Sequence, residues 1–262
     1  MKIIVLIKQV PDTTDVKIDP ETNTLKREGV ESIINPFDMY AIEEALRIRE
    51  RLGEGEVVAV SMGPPQAEEA LREAVSMGVD SAILISDRKF AGSDTWATSY
   101  TLSQAARKIG DYGLILCGKQ ASDGDTAQVG PGVSMHLNIP QVTYVKKIEK
   151  LGKVSALVER MTEEGYDIVE TPLPAVLTVV KEINEPRLPS LKGKMKAKKC
   201  EIPVWTAEDL SCEEEKIGLD GSPTRVIKVF TPPPREGGRI LQGDPEEVAK
   251  ELGDLLKKAI IG

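Results

Sequence analysis

The 262-residue chain contains few of the residues that metal sites and nucleophilic catalysis use. Cysteine occurs only at Cys117, Cys200 and Cys212, and histidine only at His136. The cysteines form no C-x-x-C pair, so a zinc site of cysteine and histidine ligands is not predicted. No serine or cysteine nucleophile motif accompanies His136, which we interpret as a packed or surface histidine. Any chemistry is therefore expected to come from a cofactor.

Two further absences bear on partners and location. No long uncharged apolar run is present, so we expect no transmembrane span. Residues 1–8 have too few apolar side chains for a signal peptide and fit a buried first strand, which leads us to expect a cytoplasmic protein. With a formal net charge of −8, the chain lacks the basic excess that binding to nucleic-acid phosphates requires.

Up to residue 137, apolar strands alternate with amphipathic helices. Strands are predicted at residues 1–8, 56–61, 81–86 and 112–117, with helices from near Asp38, Gln66, Thr95 and Ala127 and Asp38 as a candidate cap. This alternation predicts an α/β fold with a doubly wound, mostly parallel sheet. Beyond Pro140, strands that include residues 175–179 follow one another without helices, which predicts an antiparallel addition to the sheet.

The most informative stretch is GKQASDGDTAQVGP, residues 118–131, which follows the fourth predicted strand. Gly118 and Gly124 permit close backbone approach, and the loop's aspartates and threonine are candidate caps for the next helix. A helix start at the carboxyl end of a parallel strand is where an α/β sheet holds a phosphate or pyrophosphate. The residues alone fit an ordinary capped loop equally well, because neither a P-loop nor a G-x-G-x-x-G motif is present.

Other loops after strand ends are also candidates. Residues 9–15 form a turn after the first strand, followed by a predicted hairpin over residues 16–30. Ahead of the third helix, Ser93 or Asp94 is a candidate cap. Thr95 and Thr98 lie one turn apart and can offer hydroxyls to a ligand, although they fit a plain helix start equally well.

The last third of the chain has a different amino-acid composition. Residues 184–200 combine prolines with a lysine-rich run, which predicts an exposed loop before a helix and a docking surface. Leu188 or Leu191 is poorly placed for the chain's own core. We expect a nucleotide-binding domain at residues 1–200. A C-terminal arm at 201–262, with a proline run at 231–234 and a helix over 245–260, would then lie on a partner subunit.

Several spaced segments together resemble the β subunit of electron transfer flavoproteins over essentially the whole chain. They are VLIKQVPD at residues 5–12, NPFD at 35–38, MGPP at 62–65, the stretch at 118–131, and NEPR followed by MKAKK between 184 and 199. Motifs that recur in this order are far more specific than any one loop. The resemblance implies an adenine nucleotide alpha hydrolase-like fold.

The resemblance also implies a heterodimer with an electron transfer flavoprotein α subunit that carries an electron-transferring FAD. In the family, the loop that matches residues 118–131 holds AMP in the housekeeping type, or a second FAD in the electron-bifurcating type. DGDTAQVGP at 123–131 and GSDTWATS at 92–99 resemble the bifurcating type, in which this FAD takes electrons from NADH. We therefore expect a redox-active flavoprotein subunit rather than a stand-alone enzyme.

In this interpretation, electrons pass to a low-potential carrier, ferredoxin or flavodoxin. They also pass, through the α-subunit FAD, to an acyl-CoA dehydrogenase, another dehydrogenase or a quinone reductase. We expect the backbone of the 118–131 loop to hold the adenosine diphosphate half of FAD, and Thr95 and Thr98 to hold phosphate or ribityl oxygens. By the same resemblance, Leu191 anchors the redox partner with lysines beside it.

The predicted cofactor-binding residues lie on strand-end loops and helix starts: Lys8, Gln9, Val10, Asn35, Asp38, Met62, Gly63, Thr95, Thr98, Gly118, Gln120, Ala121, Asp123, Gly124, Asp125, Thr126, Ala127, Gln128 and Val129. The predicted partner-binding residues are Leu191, Lys194, Met195 and Lys196. No catalytic side chain and no metal ligand is predicted.

Two alternatives remain open from the sequence. One is a non-bifurcating electron carrier that binds AMP in this subunit and a single FAD in the α subunit. The other is a non-enzymatic adenine-nucleotide-binding module of similar fold, such as a universal stress protein. The basic segment and the C-terminal arm argue against the second alternative.

Overall fold

The computed structural model describes residues 1–12, 32–228, 237–238 and 240–261. Chain contacts divide it into two units, Met1–Ile227 and Lys228–Gly262. The hairpin predicted over residues 16–30 and the proline run at 231–234 lie outside the described residues.

The strands and helices are defined as follows. The strands are β1 Lys2–Leu6, β2 Gln9–Pro11, β3 Ser32–Ile34, β4 Glu56–Met62, β5 Ser81–Ile85, β6 Tyr112–Gly118, β7 Gln141–Leu151, β8 Ser155–Met161, β9 Tyr166–Pro172, β10 Ala175–Val179 and β11 Val204–Trp205. The helices are α1 Pro36–Leu52, α2 Glu68–Met77, α3 Thr95–Ile109, α4 Val129–Leu137, α5 Leu191–Lys199 and α6 Pro245–Ile261.

The first unit is built on a nine-stranded sheet with the order β11-β5-β4-β1-β6-β10-β7-β8-β9. Strands from β11 to β7 pair in parallel, and β7-β8-β9 form an antiparallel meander. A separate antiparallel pair joins β2 to β3. The predicted α/β fold with a mostly parallel sheet is confirmed.

The placement of β10 differs from the expectation. Residues 175–179 were predicted as part of the antiparallel addition, but β10 inserts between β6 and β7 and runs parallel to both. All five of its residues are buried, as is usual for a strand covered on both faces. The order of strands along the chain does not reveal this insertion, because the β7-β8-β9 meander separates β10 from β6 in the sequence.

Helices cover both faces of the sheet. Successive residues of a strand point to opposite faces, so Ile3 and Val5 enter one core while Ile4 and Leu6 enter the other. The first core contains the apolar faces of α1 and α2, and the second contains those of α3 and α4. This two-sided burial explains why the strands are almost continuously apolar.

The part of the C-terminal extension in the first unit packs on the chain's own sheet. Ala207, Leu210 and Ile217 are buried in the core on the α3 side. The Ala207 amide donates to Asp87 Oδ2 at 3.1 Å, and β11 adds a parallel strand beside β5. The domain boundary at residue 200 is still a prediction. So is the expectation that the rest of the C-terminal arm lies on a partner subunit.

The second unit contains α6, whose bounds agree closely with the predicted helix. Leu252, Leu255, Leu256 and Ile260 are exposed on it. None of the helices in the described part of the chain combines the length and the apolar character that a membrane span needs.

Helix α5 lies against α2 at a point where only glycine fits. A Cβ added to Gly193 would lie 1.9 Å from the carbonyl oxygen of Ser76. The Arg72 guanidinium, on α2, donates to the carbonyls of Ala197 at 2.6 Å and Cys200 at 3.2 Å, which satisfies the end of α5.

We predict that Gly193→Ala lowers the free energy of unfolding by about 1–3 kcal/mol, because the added methyl group collides with the α2 backbone. Lys192→Ala, on the exposed side of the same helix, is the control and is expected to change it by less than about 0.5 kcal/mol. Urea denaturation measures both. Equal stability of the two variants would show that α5 does not dock on α2.

Candidate functional site

The candidate site lies where the winding of the sheet reverses. β1 pairs with β4 on one side and with β6 on the other, so the chain leaves the carboxyl ends of β1 and β6 toward opposite faces. Ligands of open α/β sheets bind in the crevice that this reversal creates. The predicted loops after β1, β4 and β6 all lie at this edge of the sheet.

Asp38 joins the first turn of α1 to the two strands that flank the crevice. Its Oδ2 accepts the Lys8 amide at 2.8 Å and its Oδ1 accepts the Gly118 amide at 3.1 Å. The side chain is buried, with 5% of its surface exposed. The expectation that Asp38 caps α1 is wrong: the helix begins at Pro36, its N-cap is Asn35, and no side chain caps it.

Asn35 holds the loop after β6 from the same helix start. Its Nδ2 donates to the Gln120 carbonyl at 2.8 Å, and its Oδ1 accepts the Ser122 amide at 3.1 Å. The Asn35 amide donates to the Lys8 carbonyl at 2.8 Å. The start of α1 therefore connects the end of β1 to the loop after β6.

The aspartates of the loop make side-chain contacts away from the next helix. Asp123 accepts the Lys8 ammonium at 2.6 and 2.8 Å, which closes an ion pair across the crevice. Asp125 accepts the Gln120 side-chain amide. The expectation that an aspartate or threonine of this loop caps the helix near Ala127 is wrong, because α4 begins at Val129 and its N-cap, Gln128, makes no side-chain cap bond.

The start of α4 suits an anionic ligand. The amides of Gln128, Val129 and Gly130 have no acceptor within the described residues, so they are free to receive phosphate oxygens. Asp125 and Ala127 have φ values of 52° and 54°, which turn the loop sharply before the helix. The free amides and the loop geometry therefore fit a phosphate or diphosphate group.

Close packing fixes the position of α4. A Cβ added to Gly130 would lie 2.6 Å from Thr178 Cγ2, and one added to Gly132 would lie 2.3 Å from Ser99 Oγ. The Ser99 hydroxyl also donates to the Val129 carbonyl at 3.2 Å. The first turn of α3 thus lies beside the first turn of α4.

The predicted threonines lie on the first turn of α3, next to Ser99. Asp94 caps α3 as expected, accepting the amides of Trp96 at 2.9 Å and Ala97 at 3.1 Å. Thr95 and Thr98 are half-buried on this turn. Met62 and Gly63 lie farther along the same edge, where the Gly63 amide donates to the Ile85 carbonyl at 3.0 Å.

A cavity beside α4 includes residues that the sequence interpretation missed. Its volume is about 410 Å³, and it is lined by Ala127, Gln128, Pro131, Gln141, Val142, Thr143, Tyr144, Arg160 and Val169. Tyr144 has a φ of 60°, and Arg160 Nε donates to the Thr143 carbonyl at 3.2 Å. Arg160 lies in a strand with an alternating pattern of side chains. This alternation is the sequence signal that could have placed Arg160 on the inward-facing side of the strand.

His136, predicted to be a packed or a surface histidine, is half-buried against aromatic rings, and Cys117 is buried in β6. The His136 ring lies 4.3 Å from the Trp96 ring and 5.6 Å from the Tyr100 ring, centroid to centroid. Burial lowers the pKa of His136, so the imidazole is neutral at pH 7. Burial raises the pKa of the Cys117 thiol, which removes it as a nucleophile.

The predicted partner segment presents apolar side chains outward. Leu188 is 89% exposed, Leu191 79% and Met195 59%. Exposed large apolar residues that lie together mark an interaction surface.

The two ends of this segment are held by the body of the protein. Arg187 forms ion pairs with Glu43 at 2.7 Å and Glu50 at 2.5 Å, both on α1. Lys196 Nζ donates to the carbonyls of Val79 at 3.0 Å and Asp80 at 3.1 Å. Of the residues predicted to bind a partner, Lys196 therefore has its ammonium engaged within its own chain.

Comparison with known proteins agrees with this geometry. The family model described as "Electron transfer flavoprotein domain" matches residues 22–210. The chain is 53% identical over 257 residues to electron transfer flavoprotein subunit beta of Thermoanaerobacterium thermosaccharolyticum, with 98% of each chain covered. It is 49% identical over 259 residues to the caffeyl-CoA reductase-Etf complex subunit CarD of Acetobacterium woodii, again with 98% of each covered.

A third relative is protein FixA of Bradyrhizobium diazoefficiens, 45% identical over 263 residues, with 98% of this chain and 91% of that protein covered. The matching family model and these relatives show that this α/β protein belongs to the electron transfer flavoprotein family. Within that family, the chain belongs to the β subunits.

We predict that Asp38 makes the stability of the protein depend on pH. Burial raises the pKa of its carboxyl to about 7, although the hydrogen bonds from Asn35, Lys8 and Gly118 oppose the rise. Between about pH 4 and pH 7 the folded protein therefore binds a proton that the unfolded chain releases. The contribution of Asp38 to the free energy of unfolding then falls as pH rises through this range.

Urea denaturation of the wild type and of Asp38→Asn across this range is the measurement. The difference in unfolding free energy between the two proteins is expected to shift in favour of the variant as pH rises. Parallel pH profiles for the two proteins would contradict the assignment.

Proposed function

We propose that this chain is the β subunit of an electron-bifurcating electron transfer flavoprotein. With an α subunit, it binds FAD at the crevice between β1 and β6 and accepts electrons there from NADH. One electron path leads to ferredoxin or flavodoxin. The other leads through the α-subunit FAD to a partner dehydrogenase or a quinone reductase.

The observation that carries the proposal is the combination of free amides at the start of α4 with the loop that Asn35 holds in front of them. Bound there, FAD supplies the hydride acceptance and the separation into single electrons that no side chain of this protein offers. The chain's own residues contribute binding and orientation. Backbone amides of residues 128–130 receive the diphosphate, and the Thr95 and Thr98 hydroxyls lie on the neighbouring helix turn.

Names of relatives support the choice of partner. CarD belongs, by its name, to a complex with caffeyl-CoA reductase. A dehydrogenase or reductase of this kind is the high-potential partner we propose for this chain. An ordinary carrier that holds AMP in the crevice remains the second candidate, since the diphosphate site at α4 also fits an adenosine monophosphate. The segments at 92–99 and 123–131 favour FAD through their resemblance to the bifurcating type.

Cofactor content separates the two candidates. For the heterodimer purified with its α subunit, we expect two FAD per heterodimer and little AMP, and we expect NADH to bleach the flavin absorbance. Acid extraction with chromatographic separation of FAD and AMP is the measurement. One FAD with one AMP, together with no response to NADH, would replace the bifurcating assignment with the carrier assignment.

A second prediction concerns Leu191. Replacing a central interface residue typically costs about 2 kcal/mol or more, so Leu191→Ala is expected to raise the KM for the partner dehydrogenase roughly 30-fold or more. Flavin content is expected to stay unchanged, because Leu191 is 79% exposed and far along the chain from the crevice loops. Steady-state reduction of the dehydrogenase gives the KM.

The control is Val154→Ala, which removes an apolar side chain that is 76% exposed on the β7–β8 turn. It is expected to leave the KM within about twofold of the wild type. A similar KM for both variants would remove Leu191 from the partner surface. Loss of flavin in the Leu191 variant would assign it a structural role instead.

A further inference from the structure

Asn35 and Asp38 lie one helical turn apart at the start of α1, beneath the crevice loops. Both are among the residues predicted to bind the cofactor, and both are almost wholly buried, with 1% and 5% of their surface exposed. Buried polar groups of this kind are held in place by hydrogen bonds. The partners of those bonds indicate what the two side chains do.

The partners in the described part of the chain are backbone groups at the ends of β1 and β6 and in the loop after β6. The Asp38 oxygens accept the amides of Lys8 and Gly118, at the ends of β1 and β6. Asn35 uses its donor for the Gln120 carbonyl and its acceptor for the Ser122 amide. The two side chains thus fix residues 118–122 against the end of β1 from below.

The packing around Gly118 shows how closely this position is set. A Cβ added to Gly118 would lie 2.5 Å from Asp38 Oδ1 and 2.6 Å from the backbone of Phe37. The loop therefore has no room to move toward α1. The ion pair between Lys8 and Asp123 across the crevice is more exposed, with 48% and 22% of the two side chains accessible, and exposed pairs contribute little.

We propose that Asn35 and Asp38 are positioning residues, which set the loop at 118–122 relative to β1 and thereby pre-form the backbone that receives the adenine nucleotide. The inference rests on the proposed function in that the crevice binds FAD or AMP. A loop that is ordered before binding costs less free energy to order upon binding, so its fixation strengthens affinity.

Isosteric variants test the proposal with a matched control. Asp38→Asn replaces one acceptor oxygen with a donor, so one of the two backbone amides loses its partner. Asn35→Asp removes the donor to Gln120. The control is Asp80→Asn: Asp80 Oδ2 accepts the Val57 amide at 2.9 Å and Arg49 at 2.6 Å, a similar carboxylate-to-strand bond at the opposite end of the sheet.

Each full-length variant is purified with its α subunit and freed of bound nucleotide. Affinity for FAD and for AMP is then measured by titration at a temperature below all unfolding transitions. Amide hydrogen exchange is followed in the peptide that covers residues 118–125. We expect Asp38→Asn and Asn35→Asp to weaken binding at least tenfold and to speed exchange in this peptide, while Asp80→Asn changes affinity less than about twofold.

Three other results would contradict the proposal, each for a different reason. Equal loss of affinity in all three variants would reduce the effect to general stability. Faster exchange with unchanged affinity would show that loop position does not govern binding. A wild-type protein that binds neither FAD nor AMP would refute the proposed function, and the exchange data would then decide separately whether the two side chains hold the loop.

Discussion

The rest of the structure depends on the pairing of β1 with β4 on one side and β6 on the other. This arrangement sends α1 and α2 to one face of the sheet and α3 and α4 to the other, so each face has its own core. It also opens the crevice between the ends of β1 and β6. The free amides of α4 and the loop before them border this crevice.

Helix α1 links the crevice to the exposed segment that we predict to bind a partner. Its first turn holds the loop after β6 through Asn35, and its middle holds Arg187 through Glu43 and Glu50. Arg72 and Gly193 then fix the far end of that segment against α2. Leu191 and Met195 are therefore presented on a supported helix, whereas the lysine ammonium nearest the body, that of Lys196, is bound by backbone carbonyls.

Individual helices and strands were predictable where residues close together in the sequence decide their start and their type. Helix α3 has the predicted start, and Asp94, one of its two predicted caps, accepts the amides of the first turn, because these donors lie two and three residues away along the chain. The strands of the central sheet followed from their apolar runs. The insertion of β10 between β6 and β7 did not follow, because strand order depends on contacts between segments that are distant in the chain.

The sequence by itself determined the α/β class, the loop at 118–131 as the main candidate, and the lack of a nucleophile motif around His136. Each of these rests on residue type and spacing alone. Only the tertiary structure decided the use of the polar side chains: Asp38 binds two strand ends instead of capping α1, and Asp123 pairs with Lys8 instead of capping α4. A carboxylate accepts whichever donors the fold brings within about 3 Å, and the sequence does not state which donors those are.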